Sequence, residues 1–286
     1  MTFKNLHQLQ HETKSKVSAL CELFDVSRSG YYGAHKAAKL TKTRPLSALV
    51  RAEFVRSQSC YGKRRIARAI NDSGVHVGVH AVAVEMRKLD LTAVWRQRKF
   101  VITTDSNHAE AIFENVLDRD FSPVAPNQAW VSDITYIWTE SGWVYLAVVL
   151  DLCGRKVVGW AIDRRMEAEL VCRALKMALQ IRAPEPGLIV HSDRGSQYAS
   201  QAHRSLLTAY GCVGSMSRKG NCWDNAAMER FFLSLKTERV WRRTYANTNE
   251  ATADIGDYIV NFYNETRLHS ALGYMTPNAF EQQFDN

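Results

Sequence analysis

Between residues 129 and 162 three apolar segments follow one another across gaps too short to hold a helix. They are AWVSDITYIW (129–138), GWVYLAVVLD (142–151) and RKVVGWAI (155–162), with turn-length breaks marked by Gly142 and Gly154. Val, Ile, Trp and Tyr favour a pleated, half-buried surface, and strands joined this closely form an antiparallel meander. EAELVCRALKMALQIR (167–182) then places Leu170, Val171, Ala174, Leu175 and Leu179 on one helical face. A buried strand LIVHSD (188–193), a helix near 199–210, a short strand GCVGSM (211–216) and a helix from about 224 to 239 complete the series. The order βββ-α-β-α-β-α predicts an α/β domain of the ribonuclease-H-like type, spanning 125–286.

Upstream the chain is helical and basic. VSALCELFDVSRSGYYGAHK (17–36) has Val17, Leu20 and Leu23 or Phe24 at helical spacing. Asp25 breaks that helix, and Ser27 is placed to cap a second one carrying Arg28. In YGKRRIARAINDSG (61–74), Ile66, Ala69 and Ile70 share a face ringed by Lys63, Arg64, Arg65 and Arg68. Gly74 stops that helix, and VHAVAVEMRKLDL (79–91) supplies the next. The pattern reads as two small all-α, helix-turn-helix-like modules, 1–40 and 41–98. A polar stretch with Pro123 then forms an expected linker over 99–124.

Charge divides the chain at the same place. Residues 1–99 hold 19 Lys and Arg against 7 Asp and Glu, whereas residues 100–286 hold 18 against 22. A basic third joined to a mildly acidic remainder suits a polyanion partner, although a solvated basic surface has the same composition. Arg28, Lys63, Arg64, Arg65 and Arg68 are the candidate DNA contacts in this part. The six cysteines are scattered without a CxxC pair, which fits reduced thiols rather than a disulfide frame or a closed zinc site. The start has no apolar h-region, and the longest apolar run, Trp143 to Leu150, is too short to span a bilayer. No membrane partner is expected, and the location expected is cytoplasmic.

Three carboxylates stand where chemistry is to be looked for. Asp133 interrupts an otherwise apolar strand, where an unpaired carboxylate is poorly tolerated. Asp193 ends the next isolated buried strand, and sheets of this class build sites at the carboxyl ends of strands. Glu229 lies in the helix NAAMERFFLSLK, with Lys236 seven residues on and on the same face. Each carboxylate has a structural role open to it: a bond to Thr135, a turn at Gly195, or a pair with Arg230 or Lys236. Together, on strand, strand end and helix, they suit Mg²⁺, which takes hard oxygen ligands converging from separate elements. Two such ions serve an in-line displacement at phosphorus. His191 and His203 compete as nucleophile or base, but no partnered Ser or Cys accompanies them.

At these residues the sequence resembles the catalytic, second-frame chains of bacterial insertion-sequence transposases of the DDE class, relatives of retroviral integrases. PNQAWVSDITYI (126–137), VHSDRGSQY (190–198), SRKGNCWDNAAMERFFLSLKTE (217–238) and NFYNETRLHSALGYMTPNAFE (261–281) carry the resemblance, which spans about 45–281. The 35 residues between Asp193 and Glu229 and the position of Lys236 agree with the family. The resemblance implies an RNase-H-like core and Asp133, Asp193 and Glu229 as ligands of two Mg²⁺ ions, with Mn²⁺ able to substitute. It also implies a copy-and-paste route: a cleaved 3′-OH attacks DNA to join the ends, a circle forms, and integration follows. The implied partners are DNA (transposon ends and target), further copies of the chain on that DNA, and an upstream-frame protein or frameshift fusion. GVHAVAVEM departs from the family in lacking basic residues in its second helix. A plain RNase-H-like nuclease and a DNA-binding regulator with an inert α/β domain are the competing readings. Strand transfer by labelled ends separates them.

Overall fold

A computed structural model describes residues 9–10, 12–32, 45–94, 112–118, 120, 122–218 and 225–284. The chain divides into two compact units, 1–93 and 94–286.

In the first unit, α1 (Val17–Leu23) ends at a turn where Asp25 takes a positive φ of 48°. The Oγ of Ser27 then accepts the Gly30 N–H at 3.0 Å, capping a helical stretch at 28–32 as expected. Leu20, Cys21 and Tyr31 close a small core there, and Arg28 is exposed. The rest of that expected helix lies outside the described residues.

Downstream, α2 (Leu46–Arg56), α3 (Lys63–Asp72) and α4 (Val79–Lys88) pack on one another through Val50, Phe54, Ile66, Ile70, Val82 and Met86. The Asn71 amide clasps the turn between α3 and α4, accepting the Val77 N–H at 2.7 Å and donating to its carbonyl at 3.2 Å. The sequence pattern left α2 unread, because its apolar residues spread around the helix and Val55 is exposed. Lys63, Arg64 and Arg68 lie exposed on α3; Arg68 pairs with Asp72 and Arg65 lies over the Tyr61 ring.

The second unit is built on a five-stranded sheet of order β3-β2-β1-β4-β5, formed by β1 (Ala129–Thr139), β2 (Gly142–Asp151), β3 (Val157–Asp163), β4 (Ile189–Ser192) and β5 (Val213–Met216). The three meander strands pair antiparallel, while β4 joins β1 and β5 joins β4 in parallel. Helix α5 (Ala168–Arg182) covers one face, and Trp130, Ala147, Val149, Leu170, Leu175 and Leu179 belong to the core between them. A Cβ on Gly159 would come within 2.3 Å of the Ala174 carbonyl oxygen, so glycine lets α5 lie directly against β3. Helices α6 (Ser196–Ala199) and α7 (Gln201–Ala209) link β4 to β5, and α8 (Ala226–Glu238) packs on β1. This is the RNase-H-like α/β arrangement that the element order predicts.

Part of the polar stretch before β1 is held on this unit. Phe113 lies across Gly214, with its ring 2.7 Å from where a Cβ would stand, and the Arg204 guanidinium stacks on it at 4.3 Å. The backbone N–H groups of Val116 and Leu117 both donate to the Ser215 hydroxyl.

After α8 come a 3₁₀ turn (Val240–Arg242), α9 (Thr248–Asp257), a π-helical segment (Tyr258–Asn264) and α10 (Pro277–Glu281). The side-chain amide of Asn264 accepts the Val157 N–H at 3.0 Å and donates to the Val157 carbonyl at 2.9 Å, on edge strand β3. Glu281 pairs with both Lys156 and Arg182. Among the described residues no helix is long and apolar enough to cross a membrane, and Cys21, Cys60, Cys153, Cys172 and Cys212 are free thiols.

Candidate active site

The parallel register of β1 with β4 sets the first two carboxylates side by side. Val131 pairs with His191, and two residues further along both strands stand Asp133 and Asp193. The strand pairing ends there, so the two carboxylates meet where the sheet opens. Asp193 Oδ1 accepts the Gly195 N–H at 2.9 Å, and a Cβ on Gly195 would come 3.1 Å from that oxygen. Glycine therefore lets the chain turn tightly around the carboxylate, so the structural role open to Asp193 is realised alongside its place in the cluster. Asp133 Oδ1 accepts the Ile134 N–H at 2.7 Å rather than a bond from Thr135.

Helix α8 brings the third. Glu229 sits exposed in its first turn, while Met228, Phe231, Phe232 and Leu235 are buried. Asn225, at the head of the helix, makes a long 3.5 Å contact to the Ser132 carbonyl, and its buried Oδ1 has no hydrogen-bond partner among the described residues.

Electrostatics ties the group together. Burial raises the Asp133 pKa well above the usual carboxylate range, and the charges of Asp193 and Glu229 raise it further. The Ile134 N–H and the Lys236 ammonium act in the opposite direction without cancelling the rise. Glu229 is raised by burial, and Lys236 is lowered by burial against the pull of Asp133. Lys236 Nζ lies 4.3 Å above the Tyr136 ring, so it faces the sheet rather than standing free on the surface. Among the described residues no three His, Cys, Asp or Glu side chains are already drawn to ligand spacing. The carboxylates form an open, mutually repelling cluster.

Both competing histidines are accounted for elsewhere. His191 is fully buried, with Nδ1 2.8 Å from the Ser215 hydroxyl and Nε2 3.1 Å from that of Ser217. Because Ser215 already accepts two backbone N–H groups, its own hydrogen donates to Nδ1, and Nε2 carries the ring proton. His203 is buried against Tyr198, and burial lowers its pKa to about 4.

Known proteins match this sequence along nearly the whole chain. The Integrase core domain family matches residues 123–222 and, through a second description of the same name, 210–277; the HTH-like domain family matches 42–99. The Insertion element IS600 uncharacterized 31 kDa protein of Shigella sonnei is 41% identical over 268 residues, covering 93% of this chain and 98% of its own. Transposase InsF for insertion sequence IS3A of Escherichia coli (strain K12) is 38% identical over 279 residues, 96% of each chain. This chain belongs to the insertion-sequence transposases. Among solved structures, the HTLV-2 integrase catalytic core domain in complex with magnesium is similar at a TM-score of 0.44 and 16% identity, covering 55% of the transposase and 98% of that core.

Two parts of the candidate site escape a reading of carboxylate spacing. Beneath the aspartates, Ser132 Oγ donates to the Val148 carbonyl at 2.9 Å, so the fully buried Tyr198 hydroxyl must donate to Ser132 at 3.0 Å. Behind α8, the Arg267 guanidinium donates to both carboxylate oxygens of Glu238, at 2.7 and 2.8 Å, and to the Ser234 hydroxyl at 3.1 Å. The Tyr258 hydroxyl donates to Glu238 at 2.8 Å, and Tyr263 meets Phe231 edge-on at 4.8 Å. Strand alternation beside Asp133 points to Ser132. The clustered polar residues of NFYNETRLHS hint at the second part, but nothing in their spacing names their partners.

Proposed function

We propose that this transposase cleaves the 3′ ends of its element and transfers those strands to a second DNA, with Asp133, Asp193 and Glu229 holding divalent cations. The observation that carries this reading is the β1–β4 register, which sets Asp133 level with Asp193 where the sheet opens, with the charges of Asp193 and Glu229 acting on Asp133. A divalent cation fits that cluster, because it neutralises carboxylates that otherwise repel and takes the all-oxygen donor set they offer. Mg²⁺ is the expected ion, two of them, with Mn²⁺ able to replace it. Bound there, such ions lower the pKa of an attacking oxygen and stabilise the leaving one.

The protein's own groups do the rest. The Gly195 N–H orients the Asp193 carboxylate, and the Tyr198–Ser132 pair fixes the backbone of β1 beside Asp133. Lys236, held over Tyr136, is placed to meet a phosphate next to the cut, a contact that positions DNA without sharing in bond change. The basic α3, with Lys63, Arg64, Arg65 and Arg68, and Arg28 near α1 supply a salt-sensitive hold on duplex DNA. The chain acts as an oligomer on that DNA, alone or joined to an upstream-frame partner, at the nucleoid. The deciding experiment is strand transfer with labelled transposon ends in Mg²⁺ and in EDTA. Joined product only in Mg²⁺, lost on Asp193→Asn, supports the proposal; nicked product that never joins replaces it with a nuclease.

A further inference from the structure

Asn225 stands at the N-cap of α8, a position that favours asparagine because its side-chain oxygen accepts an N–H of the first turn. Here no such bond forms. The residue is only 6% exposed, and its Oδ1 is buried with no hydrogen-bond partner among the described residues. An unpaired buried oxygen destabilises a fold, so helix capping does not account for this one.

Strand geometry gives the place of the amide. Carbonyls along a strand alternate sides, and the Gln128 carbonyl accepts the Ile189 N–H of β4 at 3.1 Å. The carbonyls of Trp130 and Ser132 therefore face β4 as well. Pairing of β1 with β4 stops at Val131 and His191, so the Ser132 carbonyl faces the opening between Asp133 and Asp193. Asn225 Nδ2 reaches that carbonyl at 3.5 Å. The amide is thus lodged beside the two aspartates, and Glu229 follows four residues later, about one turn along α8. A contact of 3.5 Å is at the limit of hydrogen bonding, so the amide can turn about its Cβ–Cγ bond without losing a strong partner. Ionised carboxylates have no hydrogen to offer its oxygen. Water held by a divalent cation does, and Mg²⁺ keeps several of its waters when carboxylates bind it.

We propose that Asn225 is a positioning residue for the cation, its Oδ1 accepting a hydrogen bond from a water in the ion's coordination shell. This rests on the reading of Asp133, Asp193 and Glu229 as the cation ligands. The amide adds no charge to the cluster. It fixes the direction of one bound water, and with it the geometry of the shell, from the head of the helix that carries Glu229.

The test reads ion binding rather than turnover. Mn²⁺ is titrated into the full-length protein without DNA, and free ion is followed by electron paramagnetic resonance. Wild type is compared with Asn225→Ala, Asn225→Asp and Asp193→Asn. Asn225→Ala should weaken Mn²⁺ binding about tenfold, with the melting temperature in EDTA unchanged, because the lost oxygen has no partner in the fold. Asn225→Asp keeps an oxygen there and loses the N–H, and it should bind Mn²⁺ at least as tightly as wild type. Wild-type affinity in the Ala variant overturns the proposal. So does an equal loss in the Ala and Asp variants, which would make the Ser132 contact the part that matters. If the Ala variant does not fold, weaker Mn²⁺ binding by Asn225→Asp alone overturns it. Asp193→Asn tests the underlying reading: wild-type affinity there removes the carboxylates as ligands. Loss there with wild-type affinity in Asn225→Ala fails the Asn225 inference alone.

Discussion

Glu229 and Glu238 belong to one helix, nine residues and so two and a half turns apart, and they point to opposite sides. Glu238 is enclosed: Arg267 grips both its oxygens, Tyr258 donates to it, and burial at Arg267 is outweighed by the carboxylate, which raises the guanidinium pKa. Glu229 has the reverse surroundings: it is exposed, its charge adds to that of Asp193 in opposing ionisation of Asp133, and Lys236 acts on Asp133 in the other direction. A buried charge kept for structure brings its counter-charge with it. At the Glu229 end the carboxylates Asp133, Asp193 and Glu229 raise one another's cost of ionisation more than Lys236 lowers it at Asp133. The difference between the two ends of α8 therefore separates scaffold from site more sharply than the identity of either glutamate.

Removing charge at the Glu229 end should have the largest effect on chemistry. Asp133→Asn, Asp193→Asn and Glu229→Gln should each reduce joined product on a gel to background, with melting temperature unchanged or higher because repulsion is relieved. Near-normal joining by any one of them would remove that residue from the ligand set. At the compensated end the same kind of change should act on the fold. Arg267→Met leaves Glu238 buried without its counter-charge and should cost about 3–5 kcal/mol in chemical denaturation, whereas Arg267→Met with Glu238→Gln should recover much of it. If the single and double variants unfold alike, the pair does not brace the helix.

A pH series sharpens the contrast further. Asp133 holds its proton to higher pH in the folded chain than in the unfolded one. Across the window between its unfolded and folded pKa values the folded state binds more protons, so metal-free stability falls as pH rises. Melting temperature in EDTA should drop from acid toward neutral pH, and Asp133→Asn or added Mg²⁺ should flatten that drop. A wild-type curve as flat as the Asn variant's would mean that the cluster stores no repulsion. The smallest effect is expected from Lys236→Ala. Losing its contact with Tyr136 should cost about 0.5–1 kcal/mol of stability, and the ratio of joined to nicked product should fall. An unchanged ratio would reduce Lys236 to a packing residue.

How much of this was legible in the sequence depends on the range of the interactions. The meander, α5 and the parallel pair β4 and β5 follow from local apolar spacing, and they emerge where 129–216 predicts them. Asp133 stood out because one carboxylate interrupts an apolar strand, and Asp193 because a glycine follows the strand end. The β1–β4 register that sets them level is a long-range fact, which no local window contains. Arg267 and Glu238 are 29 residues apart and unremarkable in either neighbourhood. Helix α2 was unread for a different reason, since Ala48, Ala52 and the exposed Val55 on its outer side blur the stripe of Leu46, Leu49, Val50 and Phe54. Val116 and Leu117 come from a polar, aperiodic stretch, and it is Ser215, far along the chain, that holds them.

Asn264 has a consequence for how the molecule keeps to itself. Strand β3 is the outer edge of the sheet, and an edge offers unpaired N–H and C=O groups to any passing chain. At Val157 both groups are taken by one side-chain amide, which does for that residue what a sixth strand would do. The sheet is thereby denied a sticky end at that point, without lengthening the sheet or placing a charge on its rim. A second copy approaching this edge finds no open backbone pair at Val157 and cannot extend the sheet through that residue.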